Sequence, residues 1–236
     1  MKLVVRDVSA LLNVSEKTVY QWIAKRNLPA HCINDQYRFN RIELLDWAMA
    51  KHLPLAPDIL GKAHPDDPCE FPGIAEALRT GGVFYHVPGG DKAAVLAKVV
   101  RIMSLPAEVD RDFLLEVLLA RESLCSTGIG DGVAIPHVRN PIVMHVPRPI
   151  MSLSFLEQRV EFDALDGRPV HTLFTIVSST IHGHLQLLSR LSFAMRQPDF
   201  KAAIARKAPR EELLQQAEAI DRTVAVQNLM DRGNLS

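Results

Sequence analysis

Seventeen residues, 121–137, gather the side chains of this chain that could carry out group transfer. They run Arg121-Glu122-Ser123-Leu124-Cys125-Ser126-Thr127-Gly128-Ile129-Gly130-Asp131-Gly132-Val133-Ala134-Ile135-Pro136-His137. A neutral imidazole is a good nucleophile near pH 7, and histidine forms covalent intermediates. Pro136 fixes its own φ and restricts Ile135, so His137 stands on a stiffened mount. Gly128, Gly130 and Gly132 allow tight bends and close approach, and their amides could cradle an oxyanion. Ser126 and Thr127 offer hydroxyls to a phosphate or to the turn. Arg121 carries a permanent charge in a fork that matches phosphate oxygens. The chemistry this suggests is phosphoryl transfer onto His137.

The elements around this segment must position it. Ile74–Thr80, Ala93–Met103 and Val109–Arg121 are patterned as helices, the last leading into the glycine loop. Gly81–Tyr85, Ile142–Val146, Ile150–Leu156 and Val170–Val177 read as strands, most of them apolar β-branched runs between turn residues. Leu185–Met195 presents Leu188, Leu191 and Met195 on one helical face. Pro198 interrupts, and Phe200–Lys207 and Arg210–Ala219 close the chain as helices. This mixture implies an α/β layered sheet. His184 stands at the start of the Leu185 helix.

Before residue 53 lies a different unit. Val5–Leu12 is a short amphipathic helix, Asn13-Val14 a turn, and Ser15 an N-cap. Val19, Trp22 and Ile23 form an inward stripe, which leaves Glu16, Lys17, Thr18, Tyr20, Gln21 and Lys25 outward. His31–Phe39, centred on Asn34-Asp35, reads as a β-hairpin, and Arg41–Lys51 as a final helix. Pro54, Pro57, Pro65, Pro68 and Pro72 then make residues 53–73 a semi-rigid linker.

Charge separates the two parts. The formal net charge of the 236 residues is +0, yet residues 1–52 hold eight Lys/Arg against five Asp/Glu, a net of +3, so the remainder carries −3. That asymmetry points to a nucleic-acid partner for the N-terminal unit alone. Cys32, Cys69 and Cys125 are odd in number and far apart, which argues against a disulfide framework or a structural zinc site. His171, His182 and His184 lack a carboxylate at matching spacing, so no metal and no other cofactor is expected. No apolar run is long enough to span a bilayer, and a cytosolic protein with reduced thiols and no membrane partner is the expectation.

Residues 121–137 resemble the phosphorylation-site signature of the fructose/mannitol-type enzyme IIA domains of the bacterial phosphotransferase system, including the nitrogen-regulatory IIA proteins. That pattern is roughly Arg-Glu, a few residues, Ser-Thr-Gly-Ile-Gly, then Gly-x-Ala-Ile-Pro-His. The similarity continues through Val160–Val170 and into His184-Leu185, covering roughly residues 74 to 220. Val177–Gly183 departs from the pattern in lacking a proline. The resemblance implies a mixed-sheet IIA-type domain over residues 74–236, with helices on both faces. It also implies a phosphoryl group accepted on His137 from an HPr-like phosphocarrier, with Arg121 and His184 in the same site and the loop amides of Gly128–Gly132 orienting the group.

Residues 1–52 resemble the excisionase/MerR-like winged helix-turn-helix, through Val14-to-Trp22, Leu28-Pro29 and Arg38-Phe39. This implies DNA contacts from Lys17, Thr18, Tyr20, Gln21 and Lys25 in a major groove, and from Arg38 on the wing. So short a unit reads few base pairs, which calls for a homodimer. Together the two resemblances imply a phosphocarrier-type regulator, rather than a multiple-turnover enzyme, that links phosphorylation to transcription. The alternatives from other classes are a transcription factor whose IIA-like domain is an unphosphorylated docking surface, and an adaptor whose helix-turn-helix binds protein.

Overall fold

The computed structural model describes residues 3–25, 28–33, 36–40, 43–44, 47–48, 51, 53, 72–138, 146–164 and 166–233. Most of the expected linker, the Asn34-Asp35 turn and most of the Ile142–Val146 strand lie outside these residues.

In the N-terminal unit, α1 spans Val5–Leu11 and α2 spans Glu16–Lys25. Asp7 caps α1 by accepting from the Val4 amide at 2.9 Å. Asn13 takes a left-handed φ of 49° at the turn, a conformation that asparagine tolerates better than most residues. Ser15 then accepts from the Thr18 amide at 3.1 Å and starts α2. Strands β1 (His31–Ile33) and β2 (Gln36–Arg38) pair antiparallel, with His31 opposite Arg38. Phe39 and Leu3 exchange backbone hydrogen bonds and tie the hairpin to the start of α1. Val8, Val19, Phe39 and Leu44 are buried together, and the Trp22 and Trp47 rings meet at 5.3 Å.

The larger unit begins with α3 (Ile74–Gly81), β3 (Val83–Val87), α4 (Lys92–Ile102) and α5 (Arg111–Leu124). Gly82, at φ 95°, ends α3 and lets the chain enter β3. A short hairpin of β4 (Gly128–Gly130) and β5 (Val133–Ala134) follows. The long strands β6 (Ile150–Val160) and β7 (Val170–Val177) lead into α6 (Ile181–Ala194), α7 (Pro198–Ala205) and α8 (Arg210–Gly233). The sheet order is β3-β6-β7-β5-β4. The β3–β6 and β7–β5 pairs are parallel, while β6–β7 and β5–β4 are antiparallel.

Alternation along the strands builds a core on each side of this sheet. Met151, Leu153, Phe155, Phe174 and Ile176 pack with α3, α6, α7 and α8. On the opposite face Ile150, Leu156, Leu173 and Val177 pack with α4 and α5. The expected mixed sheet with helices on both faces is therefore present. Several boundaries differ from the sequence reading, among them the following three. Helix α6 starts four residues before Leu185, because Thr180 caps it by accepting from the Gly183 amide at 3.1 Å. Pro198 interrupts the chain as expected but is also the first residue of α7, where its missing N–H costs nothing. Helix α8 runs well beyond Ala219.

Phe174 is fully buried in the central pair of strands, its ring 6.4 Å from that of Phe200. Phe174→Ala is expected to lower unfolding stability by about 3–5 kcal/mol. Urea denaturation checks this, and a loss near zero would mean that the sheet–α7 contact is not part of the core.

Candidate phosphoryl-transfer site

His137 follows β5 and makes an isolated parallel bridge with Ile176 of β7. Residues 133, 135 and 137 alternate toward the face that carries α6. β5 and β7 are parallel neighbours, and the C-terminal ends of such strands are where α/β sheets usually bind ligands. His184 lies in the first turn of α6, its amide bonded to Thr180 O. The two rings meet at 5.0 Å between centroids, tilted by 42°. Both are buried, His137 to 2% and His184 to 1% exposure.

The Nδ1 atom of His137 lies 2.7 Å from the Ile135 carbonyl oxygen. A carbonyl can only accept, so Nδ1 is the protonated nitrogen and Nε2 holds the lone pair. Pro136 lacks an N–H and fixes the short path between this carbonyl and the ring.

Arg121 is buried at the end of α5 and donates through Nη1 to Cys125 O at 2.7 Å. Gly128 pairs with Ala134, and the Ile135 amide donates to Thr127 O at 3.0 Å. The Arg121 guanidinium therefore holds the segment that leads from α5 into β4.

The other motif residues are placed differently from the sequence expectation. Gly130 and Gly132 flank the β4–β5 turn, with φ of 94° and 74° around Asp131 at 52°. This turn lies at the end of β5 remote from His137. His137 stands five positions after Gly132, which at about 3.3 Å per step is some 16 Å of extended chain. A Cβ at Gly132 would meet the His171 ring at 2.4 Å, and one at Gly128 would meet Ala164 at 2.6 Å. The glycines thus admit neighbouring segments of this chain, and Gly130 and Gly132 are too remote to place amides around His137. The hydroxyls are committed too. Ser126 Oγ donates to Phe162 O, and Thr127 Oγ1 donates to Glu122 at 2.5 Å. A hydroxyl has one proton, so neither can also donate to a phosphoryl oxygen. His184 stands in the first turn of α6, and at a helix N-terminus the dipole favours an anion.

One residue carries more than the sequence reading assigned to it. Glu122 is 4% exposed and accepts from both the amide and the hydroxyl of Thr127. Lys92 approaches it at 3.5 Å and Asp163 at 2.9 Å. The signal was its place directly after Arg121, but nothing in the linear spacing names its partner.

In the N-terminal unit, Lys17, Tyr20, Gln21 and Lys25 are exposed on α2, as expected. Thr18 is half-buried, and its hydroxyl lies 2.8 Å from that of Ser15, so it belongs to the helix cap. Arg38 is half-buried and donates to Gln36 at 2.8 Å.

The family model for the phosphoenolpyruvate-dependent sugar phosphotransferase system EIIA 2 matches residues 76–219. The chain belongs to this EIIA 2 family. A second model, a helix-turn-helix domain, matches residues 3–52. A nitrogen regulatory protein of Pseudomonas aeruginosa is 37% identical over 147 residues, covering 61% of this chain and 92% of that protein. The fructose-specific EIIABC component of Bacillus subtilis is 30% identical over 162 residues, which cover 67% of this chain but 24% of that longer protein. Among solved structures, the nitrogen regulatory protein IIA-Ntr of Neisseria meningitidis aligns with a TM-score of 0.53 and 29% identity, covering 61% of this chain and 98% of that one. This protein is thus an EIIA 2 domain of nitrogen-regulatory type joined to a helix-turn-helix unit. Among the described residues, no helix is long and apolar enough to cross a membrane, and no cluster of three His, Cys, Asp or Glu could hold a metal ion.

His171, against the EIIA glycine turn, gives a pH test of that turn. Burial lowers its pKa, and Arg159 and Lys207 add to the effect. The unfolded chain therefore takes up this proton at higher pH than the folded chain. Its contribution to stability is present above about pH 6.5 and is lost as pH falls below that value. His171→Gln should flatten this part of the stability–pH curve in urea titrations, and an unchanged curve would contradict the assignment.

Proposed function

We propose that this protein is a regulatory phosphocarrier that accepts a phosphoryl group on Nε2 of His137 from a phosphohistidine of an HPr-like protein. The observation that carries this reading is the 2.7 Å bond from Nδ1 to Ile135 O, which directs the lone pair of a motif histidine to Nε2. In the transfer, the donor N–P bond breaks and its electron pair returns to the donor ring. A bond forms between phosphorus and Nε2, and the proton stays on Nδ1, hydrogen-bonded to the Ile135 carbonyl, as the ring becomes cationic. Arg121 offsets the charge on the phosphoryl oxygens, His184 supplies a ring N–H, and the α6 N-terminus supplies dipole and amides. A protein phosphohistidine donor requires no metal at this site. Leu124, three residues after Arg121, and Ile181, three residues before His184, are 68% and 44% exposed and give a donor protein apolar surface to dock on.

Acid-labile label from a phosphorylated carrier should appear on the wild-type chain and vanish in His137→Ala while the fold persists. Arg121→Lys keeps the charge but loses the fork, and should slow transfer. His184→Gln should transfer faster than His184→Ala, since loss of one oriented donor in a preorganised site costs about 2.7–4 kcal/mol. Full labelling of His137→Ala would end this reading.

The N-terminal unit is the output side of the same proposal: it binds DNA in the cytoplasm, as a dimer, and phosphorylation of His137 alters that binding. The exposed Lys17, Tyr20, Gln21 and Lys25 on one short helix support it. Duplex binding by the full chain should weaken with salt, each phosphate contact adding about 0.9 to the log–log slope. Lys17→Ala should weaken it for all sequences, and Gln21→Ala should change base preference. No duplex affinity even at low salt would assign the helix-turn-helix to a protein partner instead.

A further inference from the structure

We infer that Glu122 is a positioning residue for the His137 imidazole, acting through Thr127 and Ile135; the inference rests on the phosphoryl-transfer reading above. Three consecutive contacts connect them. The Glu122 carboxylate accepts from the Thr127 amide at 3.2 Å through each oxygen, and from the Thr127 hydroxyl at 2.5 Å. Thr127 O accepts from the Ile135 amide at 3.0 Å. Ile135 O holds His137 Nδ1 at 2.7 Å. Glu122 thus fixes the start of β4, β4 fixes the height of Ile135, and the Ile135 carbonyl fixes both the tautomer and the tilt of the ring.

Several features mark this as more than an ordinary surface contact. Glu122 is almost wholly buried, and a buried carboxylate is costly unless it is fully hydrogen-bonded and paired. Its three accepted bonds all come from one residue, Thr127. Its cation, Lys92, is the first residue of α4. A helix N-terminus disfavours a cation, so the two anions Glu122 and Asp163 must hold it there. The Lys92 ammonium also lies 5.5 Å from the centre of the Phe162 ring, and Phe162 O receives the Ser126 hydroxyl. The loop from Ser126 to Gly128 is therefore clamped from two sides. Within this loop, the Thr127 carbonyl passes the clamp on to the residue that bonds His137.

Transfer needs Nε2 to hold its lone pair and to point along one line. Outer partners that orient a histidine ligand in metal sites typically contribute about 10–100-fold to function, and the same scale is expected here. Glu122→Gln keeps the volume and one acceptor but loses the charge and the second acceptor. Thr127→Val keeps the amide and loses only the hydroxyl bond.

The test uses the full chain and two readouts. Long-range ¹H–¹⁵N NMR of the unphosphorylated protein reads the His137 tautomer without any transfer. Single-turnover transfer from a phosphorylated carrier reads the rate. Wild type should be held in the Nδ1–H form. Glu122→Gln should show a mixture of tautomers and transfer about 10-fold or more slowly, with half-saturation by the donor changed less than about twofold. Thr127→Val should fall between the two. Should Glu122→Gln fail to fold, the same two readouts on Thr127→Val decide. A folded Glu122→Gln with the wild-type tautomer and rate would overturn the inference. If wild type itself accepts no phosphoryl group, the proposed function fails, while the tautomer comparison still decides whether Glu122 positions the ring.

Discussion

One hydrogen bond organises this molecule: His137 Nδ1 to the Ile135 carbonyl. A histidine has two chemically distinct nitrogens, and an unconstrained ring would divide its proton between them. Here the acceptor is a backbone oxygen two residues earlier, across a proline that cannot swing. The tautomer is thereby a property of the fold. The same backbone segment joins β5 to β7, so the sheet that forms the core also sets the geometry of the nucleophile.

The sheet topology explains why the two histidines, 47 positions apart in the sequence, end 5.0 Å apart. β7 runs parallel to β5, and α6 starts directly after β7 behind the Thr180 cap. Anything that follows β5 faces the first turn of α6. Phe174 and Ile176 anchor β7 on the α6 side, and Leu173 and Val177 anchor it on the α4–α5 side. A slip of one residue would turn every side chain to the opposite face and separate the rings.

Much of this was legible in the sequence, and the rest was not for identifiable reasons. Glycine, proline and β-branched runs reveal strands and turns because they act locally, and the strand Val170–Val177 was read to the residue. The Ser15 cap was visible for the same reason. Register is not local. Gly130 and Gly132 stand close to His137 in the motif, yet strand geometry carries them to the far end of β5. The hydroxyls of Ser126 and Thr127 looked available because their acceptors, Phe162 and Glu122, are named only by the fold. Thr18 falls on the outward arc of α2, but Ser15, three residues earlier, holds its hydroxyl at the cap. Glu122 was visible as a letter beside Arg121, whereas its work depends on burial that no spacing rule reveals.

The most direct test of this account is the chemical identity of the phosphorylated nitrogen. The full chain, phosphorylated by a carrier protein and examined by ¹H–¹⁵N and ³¹P NMR, should carry phosphorus on Nε2 of His137, with the Nδ1 proton still bonded to the Ile135 carbonyl. Phosphorus on Nδ1 of His137, or on any other residue, would contradict it.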